Sequence, residues 1–234
     1  MSRIDWSSID TVLLDMDGTL LDLHFDNHFW QAHVPARYAE VNGMSLDAAR
    51  DDLMARYHAR AGTLDWYSVD FWATELELDV MSLKEEVAHL IAVHPGVIDF
   101  LTAARTAGKR LLLVTNAHHK SLTLKMARTG LQPSFDALIT SHELGLPKEE
   151  PDFWRRLQQH QAFDPARSLL IDDSIPVLDS ARRFGIRHLL AVRRPDTRQA
   201  EKATGDYPAI AGFTELIADN CDGTFSLILP ARVA

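Results

Sequence analysis

Five short apolar runs, each followed by a polar residue, constrain the fold of this chain most strongly. They are residues 11–14, 111–114, 137–140, 169–171 and 188–192. Runs of this length without polar alternation are typical of strands buried on both faces, as in a parallel sheet. The segments between the last four runs have helical apolar spacing. This alternation predicts an α/β fold with a doubly wound parallel sheet.

The interval between the first two runs is too long for a single crossover helix. These runs end near positions 15 and 115, which are 100 residues apart, whereas the later runs end 26, 31 and 20 residues apart. We therefore predict an α/β core built from residues 1–20 and 95–234, with residues 21–94 inserted as a second domain. Helical patterns near 26–42, 45–61, 64–78 and 82–92 predict that this insertion is all-helical.

Composition places the chain among soluble globular proteins. It has 234 residues, of which 46% are hydrophobic and 24% charged, and its formal net charge is −9. This acidic balance argues against a nucleic-acid polymer or an anionic membrane as the partner, but it allows a small phosphorylated ligand. The single cysteine excludes an intrachain disulfide, and no apolar run is long enough to span a membrane. We expect a cytoplasmic protein; the oligomeric state stays open, with a monomer favoured.

Reactive side chains follow the predicted strands at the edge where a doubly wound sheet binds its ligands. Four carboxylates brought together there would need a cation, and a set of oxygen ligands favours Mg²⁺. Two neighbouring carboxylates can divide the work, because one attacks as a nucleophile while the other moves a proton. The candidate residues are Asp15, Asp17, Thr115, Asn116, Lys148, Asp172 and Asp173.

Four segments carry a family resemblance, and they occur in the family's order. Residues 12–20 (VLLDMDGTL) resemble the first motif of haloacid dehalogenase (HAD) superfamily phosphatases, and residues 113–116 resemble the second. Lys148 looks like the third motif and residues 170–174 like the fourth. The resemblance implies that the chain is a phosphatase with a helical cap that closes over the site.

The resemblance also implies residue roles. Asp15 would be the nucleophile that forms an aspartyl-phosphate, and Asp17 would be the acid and base. The phosphoryl group would be held by Thr115, Asn116 and Lys148. The Mg²⁺ ligands would be Asp15, Asp17 through its backbone carbonyl, Asp173 and, directly or through water, Asp172.

Further segments are similar to the bacterial GMP/IMP nucleotidases within that superfamily. They include residues 17–23, 25–27, 29–30, 65–67, 115–118 and 145–149. This likeness implies hydrolysis of purine 5′-monophosphates, with the base held by cap residues. The candidates for substrate specificity are His24, Phe25, Trp30, Trp66 and His118.

Other functions stay open at this point. A capped HAD enzyme could instead be a sugar-phosphate phosphatase or a phosphomutase. A phospho-acceptor signalling module also combines clustered aspartates with a threonine and a lysine, but such modules are shorter and lack a helical insertion. The tryptophans of residues 21–94 could equally form the core of the insertion, because aromatic residues at helical spacing are usually buried.

Overall fold

A six-stranded parallel sheet forms the centre of the structure, a computed structural model that describes residues 5–220 and 224–228. The strands lie in the order β3-β2-β1-β4-β5-β6, and every neighbouring pair is parallel. The predicted doubly wound α/β fold is confirmed, and β6 is an addition that was not predicted. The strands are β1 (Thr11–Leu14), β2 (Arg110–Thr115), β3 (Ala137–Thr140), β4 (Ser168–Asp172), β5 (His188–Val192) and β6 (Ala209–Ile210).

The segment between β1 and β2 is helical, as predicted. Its helices are α1 (His24–His28), a π-helical turn (Phe29–His33), α2 (Val34–Asn42), α3 (Leu46–Arg60), α4 (Leu64–Tyr67), α5 (Val69–Leu76) and α6 (Val80–Glu86). The helix predicted over 64–78 is broken at Ser68, which has an extended backbone. The Ser68 side chain accepts a hydrogen bond from the Phe71 amide and so caps the start of α5. The last helix begins earlier than predicted, because Asp79 rather than Ser82 accepts the first-turn hydrogen bond.

The helical insertion leaves and rejoins the sheet at adjacent points. The Asp22 amide donates to the Ala92 carbonyl at 2.9 Å, and the His94 amide donates to the Leu20 carbonyl at 2.9 Å. Leu21 also forms a bridge with Val93. These paired crossings lie close to the predicted junctions after residue 20 and before residue 95, although the division into two domains stays a prediction.

Five further helices belong to the α/β core: α7 (Val97–Thr106), α8 (His119–Thr129), α9 (Ser141–Leu144), α10 (Pro151–His160) and α11 (Ile175–Phe184). Residues of β1, β2 and β4 alternate between two apolar clusters, one packed on α7 and α8 and the other on α10 and α11. This period-two alternation explains why the strands read as continuous apolar runs, since both faces are covered. Polar groups are therefore confined to the strand ends.

The last described residues form a small antiparallel pair, β7 (Ile217–Asp219) and β8 (Phe225–Leu227). The single cysteine, Cys221, lies outside the described residues. Within the described part of the chain, no helix has the length and apolarity that crossing a bilayer requires.

Candidate active site

A cavity of about 490 Å³ lies between the carboxyl edge of the sheet and the helical insertion. Its two ends differ in chemistry. The end at the sheet is lined by the seven polar residues predicted from the strand ends, Asp15, Asp17, Thr115, Asn116, Lys148, Asp172 and Asp173. The end at the insertion contains five aromatic rings, those of Trp30, Tyr57, Trp66, Tyr67 and Trp72, and the insertion also contributes polar side chains such as Asn27 and Gln31 to the cavity lining.

Asp15 and Lys148 are in direct contact at the sheet end. The Lys148 ammonium lies 2.5 Å from Asp15 Oδ1 and 2.7 Å from Asp172 Oδ2, and it donates to the Val114 carbonyl at 3.1 Å. Burial raises the pKa of Asp15 to about 6, although Lys148 opposes the rise. For Lys148, burial lowers the pKa, but the two carboxylates outweigh burial and raise it overall. The lysine is therefore charged and is held against the Asp15 carboxylate.

The backbone around Lys148 is fixed by Asn116. Its side-chain oxygen accepts from the Lys148 amide at 2.9 Å, and its side-chain nitrogen donates to Glu149 Oε2 at 2.9 Å. Tyr67 of the insertion donates to Glu149 Oε1 at 2.5 Å. The loop that carries Lys148 thus contacts both β2 and the insertion. Next to it, the Thr115 hydroxyl accepts from the Ala117 amide at 3.0 Å.

Three carboxylates form a cluster that could hold a metal ion. Oxygens of Asp15, Asp172 and Asp173 all lie within 4.8 Å of one another. Burial raises the pKa of both Asp172 and Asp173, because it disfavours their charged forms. A cation between them would favour the charged forms again. In the structure Lys148 and Lys202 compensate part of this charge, with Lys202 lying 2.7 Å from Asp173 Oδ2. An all-oxygen donor set of this kind fits a hard divalent cation.

Gly18 makes the close approach of the first loop to Asp173 possible. Its φ is +84°, and a Cβ at this position would lie 2.9 Å from Asp173 Cγ. Both the backbone conformation and the space therefore exclude a side chain here. The glycine allows the chain to turn directly after Asp17.

The Asp17 side chain lies outside the carboxylate cluster and bonds to a lysine that was not predicted. Lys125 of α8 donates to Asp17 Oδ1 at 2.6 Å and to Asp26 Oδ2 at 2.6 Å, and Lys84 of α6 donates to Asp26 Oδ1 at 3.0 Å. Burial raises the pKa of Asp17 to about 6, with Lys125 opposing. Both lysines are buried and line the cavity.

A sequence signal for these lysines exists. Lys125 occupies the same helical stripe as Leu122, Met126 and Thr129, and Lys84 occupies the stripe of Val80, Leu83 and Val87. A lysine on the apolar stripe of an amphipathic helix is rarely buried without a partner. Such positions therefore indicate a buried carboxylate, but they do not identify which one.

The structure places the five specificity candidates differently. Trp30, Trp66 and His118 line the cavity, whereas His24 and Phe25 do not. His24 turns toward the loop after β5, where its Nδ1 lies 3.9 Å from Asp196 Oδ1. Phe25 is 1% exposed and packs in the core of the insertion, because α1 turns this side chain inward.

Comparison with known proteins identifies the family. Residues 9–185 match the sequence model of the haloacid dehalogenase-like hydrolases, and this stretch contains every polar residue of the sheet end. The chain belongs to the haloacid dehalogenase-like hydrolase family. The predicted resemblance to HAD enzymes is thereby confirmed.

Relatives within the HAD family extend over nearly the whole chain. The GMP/IMP nucleotidase YrfG of Escherichia coli (strain K12) is 40% identical over 215 residues, covering 92% of this chain and 97% of the relative. The crystal structure of a HAD phosphatase from Thermococcus onnurineus superimposes with a TM-score of 0.75 at 26% identity, covering 89% of this chain and 96% of the other. CbbY from Rhodobacter sphaeroides in complex with phosphate shares the fold, with a TM-score of 0.66 at 17% identity and the same coverage.

Proposed function

We propose that this chain is a Mg²⁺-dependent 5′-nucleotidase that hydrolyses purine nucleoside monophosphates such as GMP and IMP. The observation that carries the proposal is the two-ended cavity, with Asp15, Lys148 and the carboxylate cluster at one end and an aromatic wall at the other. A phosphate fits the charged end and a purine base fits the aromatic end. The 40% identity to a GMP/IMP nucleotidase over 92% of this chain supports the same substrate class.

In the first step, an Asp15 oxygen attacks phosphorus and the ester P–O bond breaks. The electron pair of that bond moves to the leaving nucleoside oxygen, which takes a proton from the Asp17 carboxyl group. The Thr115 hydroxyl, backbone N–H groups near Asn116 and the Lys148 ammonium hold the phosphoryl oxygens, and the ammonium compensates their negative charge. The products of this step are a nucleoside and phosphorylated Asp15.

In the second step, water replaces Asp15 on phosphorus. The Asp17 carboxylate takes a proton from the water, the water oxygen attacks phosphorus, and the bond to Asp15 breaks to release phosphate. When bound, Mg²⁺ would be held by Asp15, Asp173, the Asp17 backbone carbonyl and, directly or through water, Asp172, and it would neutralise part of the phosphoryl charge. The cluster of three carboxylates provides ligands of the type that Mg²⁺ prefers.

The aromatic wall offers the base individual ring faces on which to stack. Trp30, Tyr57 and Trp72 pack edge to face, with ring centroids 5.7 Å apart for Trp30–Tyr57 and 5.0 Å apart for Tyr57–Trp72. Trp66 joins them, 5.7 Å from Tyr57. We assign base contact to Trp30 and Trp66, which are only partly buried and line the cavity. Residues 21–94 would then act as the cap that selects the substrate and excludes water.

Phosphate release across a panel of esters tests this function. The wild-type protein with Mg²⁺ should hydrolyse GMP and IMP with a higher kcat/KM than pyrimidine nucleotides or hexose phosphates, and EDTA should remove the activity. Preference for a hexose phosphate would favour a sugar-phosphate phosphatase instead. Return of the phosphoryl group to a second hydroxyl of the substrate would indicate a phosphomutase. A phosphorylated protein that persists for minutes would indicate a signalling module.

A cytoplasmic monomer is part of the proposal, and sedimentation of the purified protein tests the monomeric state.

A further inference from the structure

A row of four alternating charges runs from the reaction centre into the helical insertion. It consists of Asp17, Lys125, Asp26 and Lys84, joined by contacts of 2.6, 2.6 and 3.0 Å. The lysine side chains are 1% and 3% exposed, and the carboxylates are 22% and 18% exposed. Two ammonium groups alternate with two carboxylates, so the row has no net charge when all four groups are ionised.

The row joins two parts of the fold. Asp17 follows β1 and Lys125 lies on α8, so both belong to the α/β core, whereas Asp26 on α1 and Lys84 on α6 belong to the insertion. The Lys125 ammonium therefore bridges a carboxylate of the sheet edge and a carboxylate of the insertion. This bridge is complete only when the insertion lies over the sheet as it does in this structure.

Aromatic faces limit where the two ammonium groups can lie. Lys84 Nζ is 4.4 Å from the Phe29 ring centroid and 5.0 Å from that of Phe25, and Lys125 Nζ is 5.2 Å from the Phe25 centroid. Such cation–π contacts add to the carboxylate contacts in fixing the ammonium groups. Phe25 does not line the cavity, but its ring contacts the ammonium groups of both lysines.

The row is an unusual way to stabilise a fold. Buried ion pairs contribute little net stability, because removing both charges from water offsets their attraction, and apolar residues of similar volume often do as well. A purely structural role therefore gives little reason to place Lys125 on an apolar helix stripe. A role in orienting Asp17 gives such a reason, because Asp17 must present its carboxyl group to the leaving oxygen.

We propose that Lys125 is a positioning residue for the proton transfer by Asp17, and that Asp26 fixes Lys125 when the insertion is closed over the site. This inference rests on the proposed phosphatase function. The Lys125 hydrogen bond engages Asp17 Oδ1. It thereby leaves the second carboxyl oxygen to carry the proton that passes to the leaving oxygen as the ester P–O bond breaks.

The test compares two esters that differ in their need for this proton. GMP has an alkoxide leaving group, which needs the proton, whereas p-nitrophenyl phosphate releases a phenolate that leaves without one. Lys125→Met should lower kcat/KM for GMP about 30-fold, in line with the loss caused by a misplaced general acid. The same variant should lower kcat/KM for p-nitrophenyl phosphate by less than about threefold. This parameter covers only the steps up to phosphorylation of Asp15, and with this ester those steps need no proton donor. Lys125→Arg should recover part of the GMP activity.

A matched control lies on the same helix. Lys120 also bridges the core and the insertion, through a 2.6 Å contact with Asp70, but it is 46% exposed and has no contact with Asp17. Lys120→Met should therefore leave the ratio of the two kcat/KM values unchanged. Lys125→Met leaves Asp26 paired with Lys84, and its folding can be checked by thermal unfolding.

Asp26→Asn provides an independent variant if Lys125→Met does not fold. It removes one anchor of Lys125 and should lower the GMP to p-nitrophenyl phosphate ratio about threefold. An equal loss of activity on both esters, in either variant, would overturn the positioning role and leave a structural one.

If the wild-type protein prefers another alkyl phosphate to GMP, the purine assignment fails but the ratio is measured with that ester. If the wild-type protein hydrolyses no ester, both proposals are overturned.

Discussion

Lys148 is the residue on which the geometry of the charged end depends. Its ammonium is buried between Asp15 and Asp172, and the backbone amide of the same residue is bound by Asn116. The lysine is therefore fixed at both its backbone and its side-chain nitrogen. Removing this charge would leave two buried carboxylates unpaired, which is far more destabilising than losing a surface ion pair.

The buried side chain of His118 should make the free energy of unfolding depend on pH. This residue is 5% exposed, and its Nδ1 has no hydrogen-bond partner within the described residues. The centroids of the His119 and His142 rings lie 4.0 and 4.9 Å from that of His118. Burial, reinforced by these histidines, lowers the pKa of His118 from 6.5 to about 4. The unfolded chain thus binds this proton more readily than the folded chain, so stability is lost as the pH falls from about 6.5 toward 4.

His118→Gln should remove part of this pH dependence. We expect the free energy of unfolding of the variant, measured with urea between pH 7.5 and pH 5, to fall less than that of the wild-type protein. His160→Gln, which changes an exposed histidine on α10, serves as the control and should behave like the wild type. Equal pH dependence in His118→Gln and the wild type would contradict the account of His118.

At the residue scale, the sequence predicted which side chains lie at the strand ends, but it did not predict which groups pair with Asp17. Asp15 and Lys148 could be placed because each follows a strand or a short loop after one. Lys125 and Asp26 are 99 residues apart, and their contact depends on how the insertion packs on α8. No local pattern encodes that packing, so the pairing could be found only in the structure.

The helical insertion contributes the aromatic end of the cavity. Its core contains a cluster of tryptophan and tyrosine rings in edge-to-face contact, and the Trp72 indole nitrogen donates to the Trp66 carbonyl at 2.9 Å. This hydrogen bond ties the short helix α4 to α5. The Trp66 ring is thereby held at the cavity by a rigid neighbour rather than by a free loop.

Substitution of Trp66 tests whether this surface binds the base. Trp66→Leu should raise KM for GMP about fivefold with little change in kcat, because one aromatic contact contributes about 1 kcal/mol. KM for ribose 5-phosphate, which has no base, should change little. Phe71→Leu is the matched control, since Phe71 packs against Trp72 but does not line the cavity. An equal rise in KM for both substrates would show that Trp66 acts on the shape of the site and not on the base.

At the element scale, helix and strand identities were predicted well, and their ends less well. The break at Ser68 was missed because the apolar spacing continues across it, while the extended backbone of a single residue interrupts the helix. Strand β6 was missed because a two-residue strand at the sheet edge has no apolar run of its own. Both features depend on hydrogen bonds that a periodicity argument does not contain.

The whole molecule combines a rigid sheet with an insertion that closes its carboxyl edge. The long interval between β1 and β2 indicated this arrangement, because a parallel sheet can accommodate such an interval only as an insertion. The order β3-β2-β1-β4 places β1 between β2 and β4. Asp15, Thr115 and Asp172 are therefore brought together although they are far apart in the chain.

The central claim is that the Asp15 carboxylate attacks phosphorus while Asp17 moves the protons. Asp17→Asn tests it with p-nitrophenyl phosphate, because the first step with this ester needs no proton donor but the second step needs a base. Rapid quenching should detect a burst of about one equivalent of p-nitrophenolate per enzyme, followed by slow release. Mass spectrometry should then find the phosphate on the peptide that contains Asp15, and Asp15→Asn combined with Asp17→Asn should abolish the burst. Linear release without a burst, or phosphate on another peptide, would contradict the account.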